Sequence, residues 1–196
     1  IEYSNNLTFI GNIVASIVNK RPGSSFPTLD GIIIADSNNC LIKNNTLYME
    51  DFVTFPGLNN YLYGIDVWRV NSLTLDSNNI AILTTGGIAA GTAYPIQITG
   101  PSKRINITNN DLYSVSNGPN IGIYSQNYYG DTQLYIANNK INITGLAGNH
   151  SWALVVGIEA QDSNDTIVNN TIEVHSVAEV KDNDNIYGIS YSQSTK

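Results

Sequence analysis

Positive charge is what this chain has least of. Nine Lys and Arg residues stand against sixteen Asp and Glu, charged residues make up 13% of the chain, and the formal net charge at pH 7 is −7. The basic residues are scattered and the sequence pI is near 4.5. Nucleic acids and anionic membranes hold proteins through clustered Lys and Arg, so neither is expected as a partner. A single cysteine excludes an internal disulfide. Cys40 shares a repeat position with Leu7, Leu73, Ile105 and Leu134, and reads as a small buried apolar residue. The two histidines, His150 and His175, lack the spacing of metal ligands. No apolar run is long enough to span a bilayer, so direct membrane insertion of this segment is not expected. No signal peptide or initiating Met stands at Ile1, which falls inside a repeat. The reading is a fragment or processed segment of a longer protein. Amphipathic helices with caps are missing as well. Asn competes for backbone hydrogen bonds, and Ile and Val lose rotamer freedom in a helix.

What is present is a repeat. It reads Gly11-Asn12-Ile13-Val14, Asn44-Asn45-Thr46-Leu47, Ser77-Asn78-Asn79-Ile80, Asn109-Asn110-Asp111-Leu112, Asn138-Asn139-Lys140-Ile141 and Asn169-Asn170-Thr171-Ile172. Successive copies lie 33, 33, 32, 29 and 31 residues apart, and the second position is Asn in all six. Three positions before that Asn stand Phe9, Ile42, Leu75, Ile107, Ile136 and Ile167; two after it stand Val14, Leu47, Ile80, Leu112, Ile141 and Ile172. Apolar residues alternating with polar ones on both sides of the Asn give strand, corner, strand.

A second motif recurs in register: Asp30-Gly31-Ile32, Tyr63-Gly64-Ile65, Ile96-Gln97-Ile98, Ile121-Gly122-Ile123, Val156-Gly157-Ile158 and Tyr187-Gly188-Ile189. It marks a third strand per repeat, with Gln97 standing where the other copies have Gly. Three strands with one inward face each cannot bury that face alone. Stacking successive repeats makes three parallel sheets around a continuous aliphatic core. Asn12, Asn45, Asn78, Asn110, Asn139 and Asn170 then stack as an internal ladder, amide to amide, with Asn accepting the left-handed backbone of a sharp corner.

These residues resemble the right-handed parallel β-helix of the pectin-lyase-like group. Within that group the Asn-Asn-Thr-Ile and Tyr-Gly-Ile repeats look most like the adhesin-like surface proteins of methanogenic archaea. The resemblance implies an all-β solenoid of about six coils with an internal Asn ladder, forming a single domain over 1–196. It is specific for fold and nearly silent on activity, because one scaffold carries lyases, hydrolases and adhesins.

Location is argued from sequons. Asn6, Asn44, Asn106, Asn142, Asn149, Asn164 and Asn169 each begin Asn-x-Ser/Thr without Pro. Asn106 and Asn142 fall on outward strand positions and Asn149 in a loop. Asn44 and Asn169 occupy the corner step beside the ladder, where a structural role competes more strongly with glycosylation. With low charge and many hydroxyls, the sequons point to an extracellular, cell-surface location.

Function on such a rod is expected in loops and on one sheet face. The long excursions are read at 17–29, 50–62, 83–94, 114–120, 144–155 and 174–186, with a further one at 127–131. Their aromatics are Phe26, Phe52, Phe55, Tyr61, Tyr94, Tyr128, Tyr129 and Trp152. Such rings grip sugars or shield the core. Two residues after each Gly position come Ile33, Asp66, Thr99, Tyr124, Glu159 and Ser190. Four after come Ala35, Trp68, Pro101, Gln126, Gln161 and Ser192. Asp66, Trp68, Tyr124, Gln126, Glu159 and Gln161 form the candidate glycan-binding face; the competing reading is an ordinary solvated surface.

A catalytic site is not assembled by the sequence. Glycoside hydrolysis needs two carboxylates roughly 5–9.5 Å apart, and Asp66 and Glu159, three coils apart, stand about 14 Å from each other at the strand spacing. A lyase would need an acidic Ca²⁺ cluster beside a basic residue. Arg69 near Asp66 is the one hint on that face, whereas Lys43 over Asp76 reads as a cross-strand charge pair. No cofactor is expected, with Ca²⁺ left open. The expectation is therefore a surface structural or adhesin-like β-helix. Its partners would be carbohydrate, other cell-surface proteins, or further copies stacked through the ends of the solenoid. A polysaccharide-active lyase or hydrolase is the alternative.

Overall fold

Alternating aliphatic and polar residues make each short segment a strand, and the computed structural model shows how the segments stack. It describes residues 1–18, 28–51, 60–84, 91–127, 132–146, 154–161, 164–177 and 185–192. The first coil holds β1 (Thr8–Ile10), β2 (Ile13–Val18) and β3 (Thr28–Ala35). The second holds β4 (Cys40–Lys43), β5 (Thr46–Asp51) and β6 (Asn60–Trp68); the third, β7 (Ser72–Asp76), β8 (Asn79–Thr84) and β9 (Gly91–Thr99). Next come β10 (Arg104–Thr108), β11 (Asp111–Ser116) and β12 (Asn120–Gln126), then β13 (Gln133–Ala137), β14 (Lys140–Gly145) and β15 (Leu154–Gln161). The last are β16 (Asn164–Val168), β17 (Thr171–Ser176) and β18 (Asn185–Ser192).

Every third strand pairs in parallel, giving three sheets that begin with β1, β2 and β3. The protein is an all-β parallel solenoid. Each sheet contains six strands, yet the closed core runs through about four turns rather than the six expected. The terminal coils are covered on one side only: Phe9, Val14, Ile167 and Ile172 are half-buried, and Ile189 is 50% exposed. Between them, columns such as Cys40, Leu73, Ile105 and Leu134, or Leu47, Ile80, Leu112 and Ile141, are excluded from solvent. Burial pushes the Cys40 thiol up, as suits a core residue.

The corner between the first and second sheets divides its work between two residues. The left-handed backbone belongs to the residue before the ladder Asn: Gly11, Asn44, Ser77, Asn109, Asn138 and Asn169 have φ of 69°, 54°, 56°, 57°, 57° and 53°. The expectation that the ladder Asn itself takes that conformation is corrected. Each interior ladder amide instead saturates its bonding capacity. Asn78 Nδ2 donates to Asn110 Oδ1 (3.0 Å) and to the Ile42 carbonyl (2.9 Å). Its Oδ1 accepts from Asn45 Nδ2 (3.0 Å) and the Asn45 backbone N–H (3.1 Å). The same pattern links Asn12 to Asn45, Asn110 to Asn139 and Asn139 to Asn170.

Turns elsewhere carry a second asparagine column, outside the six-copy repeat. Asn38 Nδ2 donates to Asn5 Oδ1 (3.0 Å), Asn71 Nδ2 donates to Asn38 Oδ1, and Asn39 Nδ2 donates to Asn6 Oδ1 (3.2 Å). The Asn pairs at 5–6 and 38–39, one repeat apart, were the available signal.

Candidate functional site

The third sheet bends within each strand, and the bend builds the candidate face. In β6, Gly64 and Ile65 are buried in succession, so Tyr63 and Asp66 emerge on the same outer side. A side chain at the inward glycine would collide with the next coil. A Cβ on Gly64 would lie 2.5 Å from the Pro95 carbonyl oxygen and 2.6 Å from Ile80 Cγ2. The register places Ile65 beside Ile96 and Asp66 beside Gln97. Pro95, not Gln97, therefore occupies the glycine position of the third coil. Proline is tolerated because this position falls outside the paired register and needs no N–H donor. The expected columns shift by two residues in that coil. They become Ile33, Asp66, Gln97, Tyr124, Glu159, Ser190 and Ala35, Trp68, Thr99, Gln126, Gln161, Ser192. A slip of two preserves the face that every side chain takes, so the outward set survives with Gln97 and Thr99 replacing Thr99 and Pro101.

Tyrosines dominate this face. Tyr61 and Tyr94, expected in loops, lie within β6 and β9. Tyr61 and Tyr63 stack at 6.3 Å between ring centroids, Tyr63 and Tyr94 at 5.4 Å, and Tyr94 meets Tyr124 at 5.4 Å with its ring tilted by 45°. The first two pairs overlap as offset stacks and the third is tilted. Their faces partly cover one another, and edges and phenol groups are left to meet a ligand.

Carboxylates flank the stack. Asp30 pairs in register with Tyr63, and Asp66 lies beyond the bend. Each is half-buried and keeps one carboxylate oxygen shielded from water with no hydrogen-bond donor. Burial raises the Asp30 carboxyl. Burial first, then the Asp30 charge, lifts Asp66 to about 6, against a smaller opposing hydrogen bond from the Val67 backbone. Burial and the neighbouring Asp66 push the Tyr63 phenol up to about 12. Burial, then the Tyr63 and Glu159 charges, raise Tyr94 as well. Further along, Gln126 Nε2 donates to Gln161 Oε1 (3.0 Å), and Gln161 donates to Glu159. A row of amides and carboxylates thus continues from the tyrosine stack. No Lys, Arg or His occurs in any of the six strands of this sheet.

Trp68 is set apart from that row. Its indole lies under the Arg69 guanidinium, 3.5 Å from carbon to ring centroid, and Arg69 pairs with Asp36 at 2.6 Å. The hint of a base beside Asp66 is thereby corrected: Arg69 turns to Asp36 and Trp68. Lys43 and Asp76 do pair across strands, at 2.7 Å.

The remaining candidates are dispersed. Asn106 and Asn164 are exposed on the outer side of the first sheet, where with Arg104, Gln133, Tyr135 and Thr166 they line a shallow groove of about 430 Å³. Asn142 is half-buried and donates to Glu173 (3.1 Å). Asn6 is exposed with φ 58°. Asn44 and Asn169 are exposed too and share the left-handed backbone of Asn6, with φ of 54° and 53°. Asn149, His150, Phe26, Phe52, Phe55, Tyr128, Tyr129 and Trp152 lie outside the described residues. The excursion read at 114–120 is mostly strand: β11 runs to Ser116 and β12 starts at Asn120. Inward polar residues disguised it. Ser114 Oγ donates to Asn120 Oδ1 (2.6 Å), and Asn120 Nδ2 donates to the Thr144 carbonyl (2.9 Å). Among the described residues no three His, Cys, Asp or Glu side chains group as metal ligands, and no helix is long and apolar enough to cross a membrane.

Fold and face define a parallel β-solenoid with one acidic, tyrosine-rich side. Comparison with protein-family models, curated proteins and solved structures returned no match.

Proposed function

We propose that this chain is a rigid segment of an extracellular surface protein that contacts glycans through the outer side of its third sheet. One observation carries the reading: tyrosines, side-chain amides and carboxylates share one face, arranged in columns by strand register. Sugars offer hydroxyl donors and acceptors at regular intervals, and a row of amide and carboxylate groups on a rigid sheet meets them without ordering loops first. Exposed sequons at Asn106 and Asn164 support the surface location. A glycan array probed with wild-type protein and a Tyr124→Ala/Gln161→Ala variant tests the contact. Binding lost in that variant and kept in Tyr135→Ser, on the first sheet, supports the reading; no binding to any glycan rejects it. Intact-mass measurement of protein from its own source tests the location, through hexose-containing additions.

A second reading, a polysaccharide-active enzyme, rests on the Asp30–Asp66 pair, in which burial first and the Asp30 charge second keep Asp66 protonated to higher pH than a free carboxyl. Release of reducing ends from oligosaccharides, abolished by Asp66→Asn, would favour it over simple contact.

A further inference from the structure

We propose that the third-sheet face recognises glycans by their free amino groups, so that its ligand is a cationic, amine-bearing polysaccharide and not a neutral or acidic one. The proposal rests on the glycan-contact reading and names the chemical class that this face selects.

Charge complementarity argues for it first. Asp30, Asp66 and Glu159 lie on strands that carry no Lys, Arg or His, so among the described residues the face offers negative charge without a counter-charge of its own. The one guanidinium just past the end of β6, on Arg69, is committed to Asp36 at 2.6 Å and to the Trp68 ring at 3.5 Å. The first sheet is built differently: Lys43 there neutralises Asp76 at 2.7 Å.

Desolvation sharpens the preference. Asp30 and Asp66 each have one oxygen closed off from water and without a donor, so solvent reaches each carboxylate only through its other oxygen. A charge held that way gains more from an ammonium than from a hydroxyl, because the ammonium supplies both a hydrogen bond and the missing opposite charge. Gln126 and Gln161 are left to meet neutral hydroxyls further along the chain. A uronic acid would bring its own carboxylate against Asp66 or Glu159, and like-charge repulsion would reject it.

The test compares three oligomers of equal length: glucosamine, N-acetylglucosamine and galacturonic acid. Binding is read by calorimetry near neutral pH and low salt, with the whole chain. The glucosamine oligomer should bind at least about tenfold more tightly than its N-acetylated counterpart. The galacturonate oligomer should bind weakest, and added salt should erode the margin. Asp30→Asn/Asp66→Asn should remove the margin while the circular dichroism spectrum and melting temperature show an intact fold. Equal binding of the amine and acetylated oligomers overturns the amine preference and leaves the glycan-contact reading standing. An amine margin that survives in the double variant overturns the assignment of the preference to Asp30 and Asp66. Competition by Ca²⁺ at micromolar level, with no amine margin, would reassign the pair to a divalent cation. Failure of all three oligomers to bind overturns both readings.

Discussion

Asp66 and Asp76 stand on neighbouring sheets, at the end of the second coil and the start of the third, and have opposite fates. Asp66 looks out from the third sheet, half-buried and with a like-charged neighbour but no cation among the described residues, and its carboxyl rises to about 6. Asp76 looks out from the first sheet. Burial opposes its ionisation, but hydrogen bonds from Lys43, Asn109 and Thr108 and the Lys43 charge outweigh burial and take it down to about 2. Backbone geometry is common to both, since each strand belongs to a parallel ladder of six. The contrast teaches that the scaffold sets where a side chain points, and the residues in adjacent coils decide what it costs to keep it charged. A carboxylate whose column lacks a partner is one that folding alone does not require.

The largest expected effect tests the shared part. Asn78→Ala removes two donors and two acceptor sites inside the core, takes a donor from the Ile42 carbonyl, and leaves the Asn45 backbone N–H without its acceptor and Asn45 Nδ2 with only the Phe9 carbonyl. A loss of about 3 kcal/mol or more is expected in urea unfolding, with both faces destabilised together. If one face kept its titration behaviour after the ladder was cut, the two sheets would not unfold as a single cooperative unit. Gly64→Ala should cost about 2 kcal/mol through overpacking against Pro95 and Ile80. Its damage should concentrate at the third sheet, seen as loss of the near-ultraviolet tyrosine signal before loss of the far-ultraviolet strand signal.

How much of this was legible beforehand follows from the same division. Asn45, Asn78, Asn110 and Asn139 could be read as a ladder because one residue type recurs at one position with apolar residues at fixed offsets. The face after Gly64 and Gly157 was legible for the same reason, and the two-residue slip at Pro95 did no harm to the inward–outward pattern. The Asp30–Asp66 pair was not legible. Asp30 precedes its glycine and Asp66 follows its own, so strict alternation would send the two to opposite faces, and only the paired burial of Gly64 and Ile65 brings them together. The end of strand β11, from Ser114, was read as loop because Ser114 and Ser116 break the aliphatic pattern, and their partners, Asn120 and Thr84, sit in other strands. Contacts made across coils leave no local mark unless the same residue repeats.

Asp66→Asn should stabilise the protein at neutral pH. The wild-type carboxyl titrates near 6 in the folded state against a reference of 3.8. The folded state therefore binds the proton more tightly, and stability falls as pH rises through about 6. After allowance for screening of this half-buried group, the gain from the amide is about 1–2 kcal/mol at pH 7. It should vanish below the reference value, where wild type is protonated in both states. A gain that persisted there would mean that packing, not charge, sets the difference.

The smallest effect runs the opposite way and completes the contrast. The folded pKa of Asp76 is depressed to about 2 from 3.8, so its contribution is fully present above the reference value and is lost as pH falls through about 2. Asp76→Asn should destabilise at neutral pH by about 1 kcal/mol, because Lys43 is substantially exposed and screened. Lys43→Met should cost less still, because Thr108 and Asn109 continue to donate to the carboxylate at 2.9 and 2.7 Å. Raising salt should narrow the gap between wild type and Lys43→Met, while the gap for Asp76→Asn, carried partly by those two neutral donors, should persist. Equal salt sensitivity in both variants would show that the Lys43 charge alone holds Asp76 ionised. In that case one well-placed lysine over Asp66 should be enough to convert the acidic face into a copy of its neighbour.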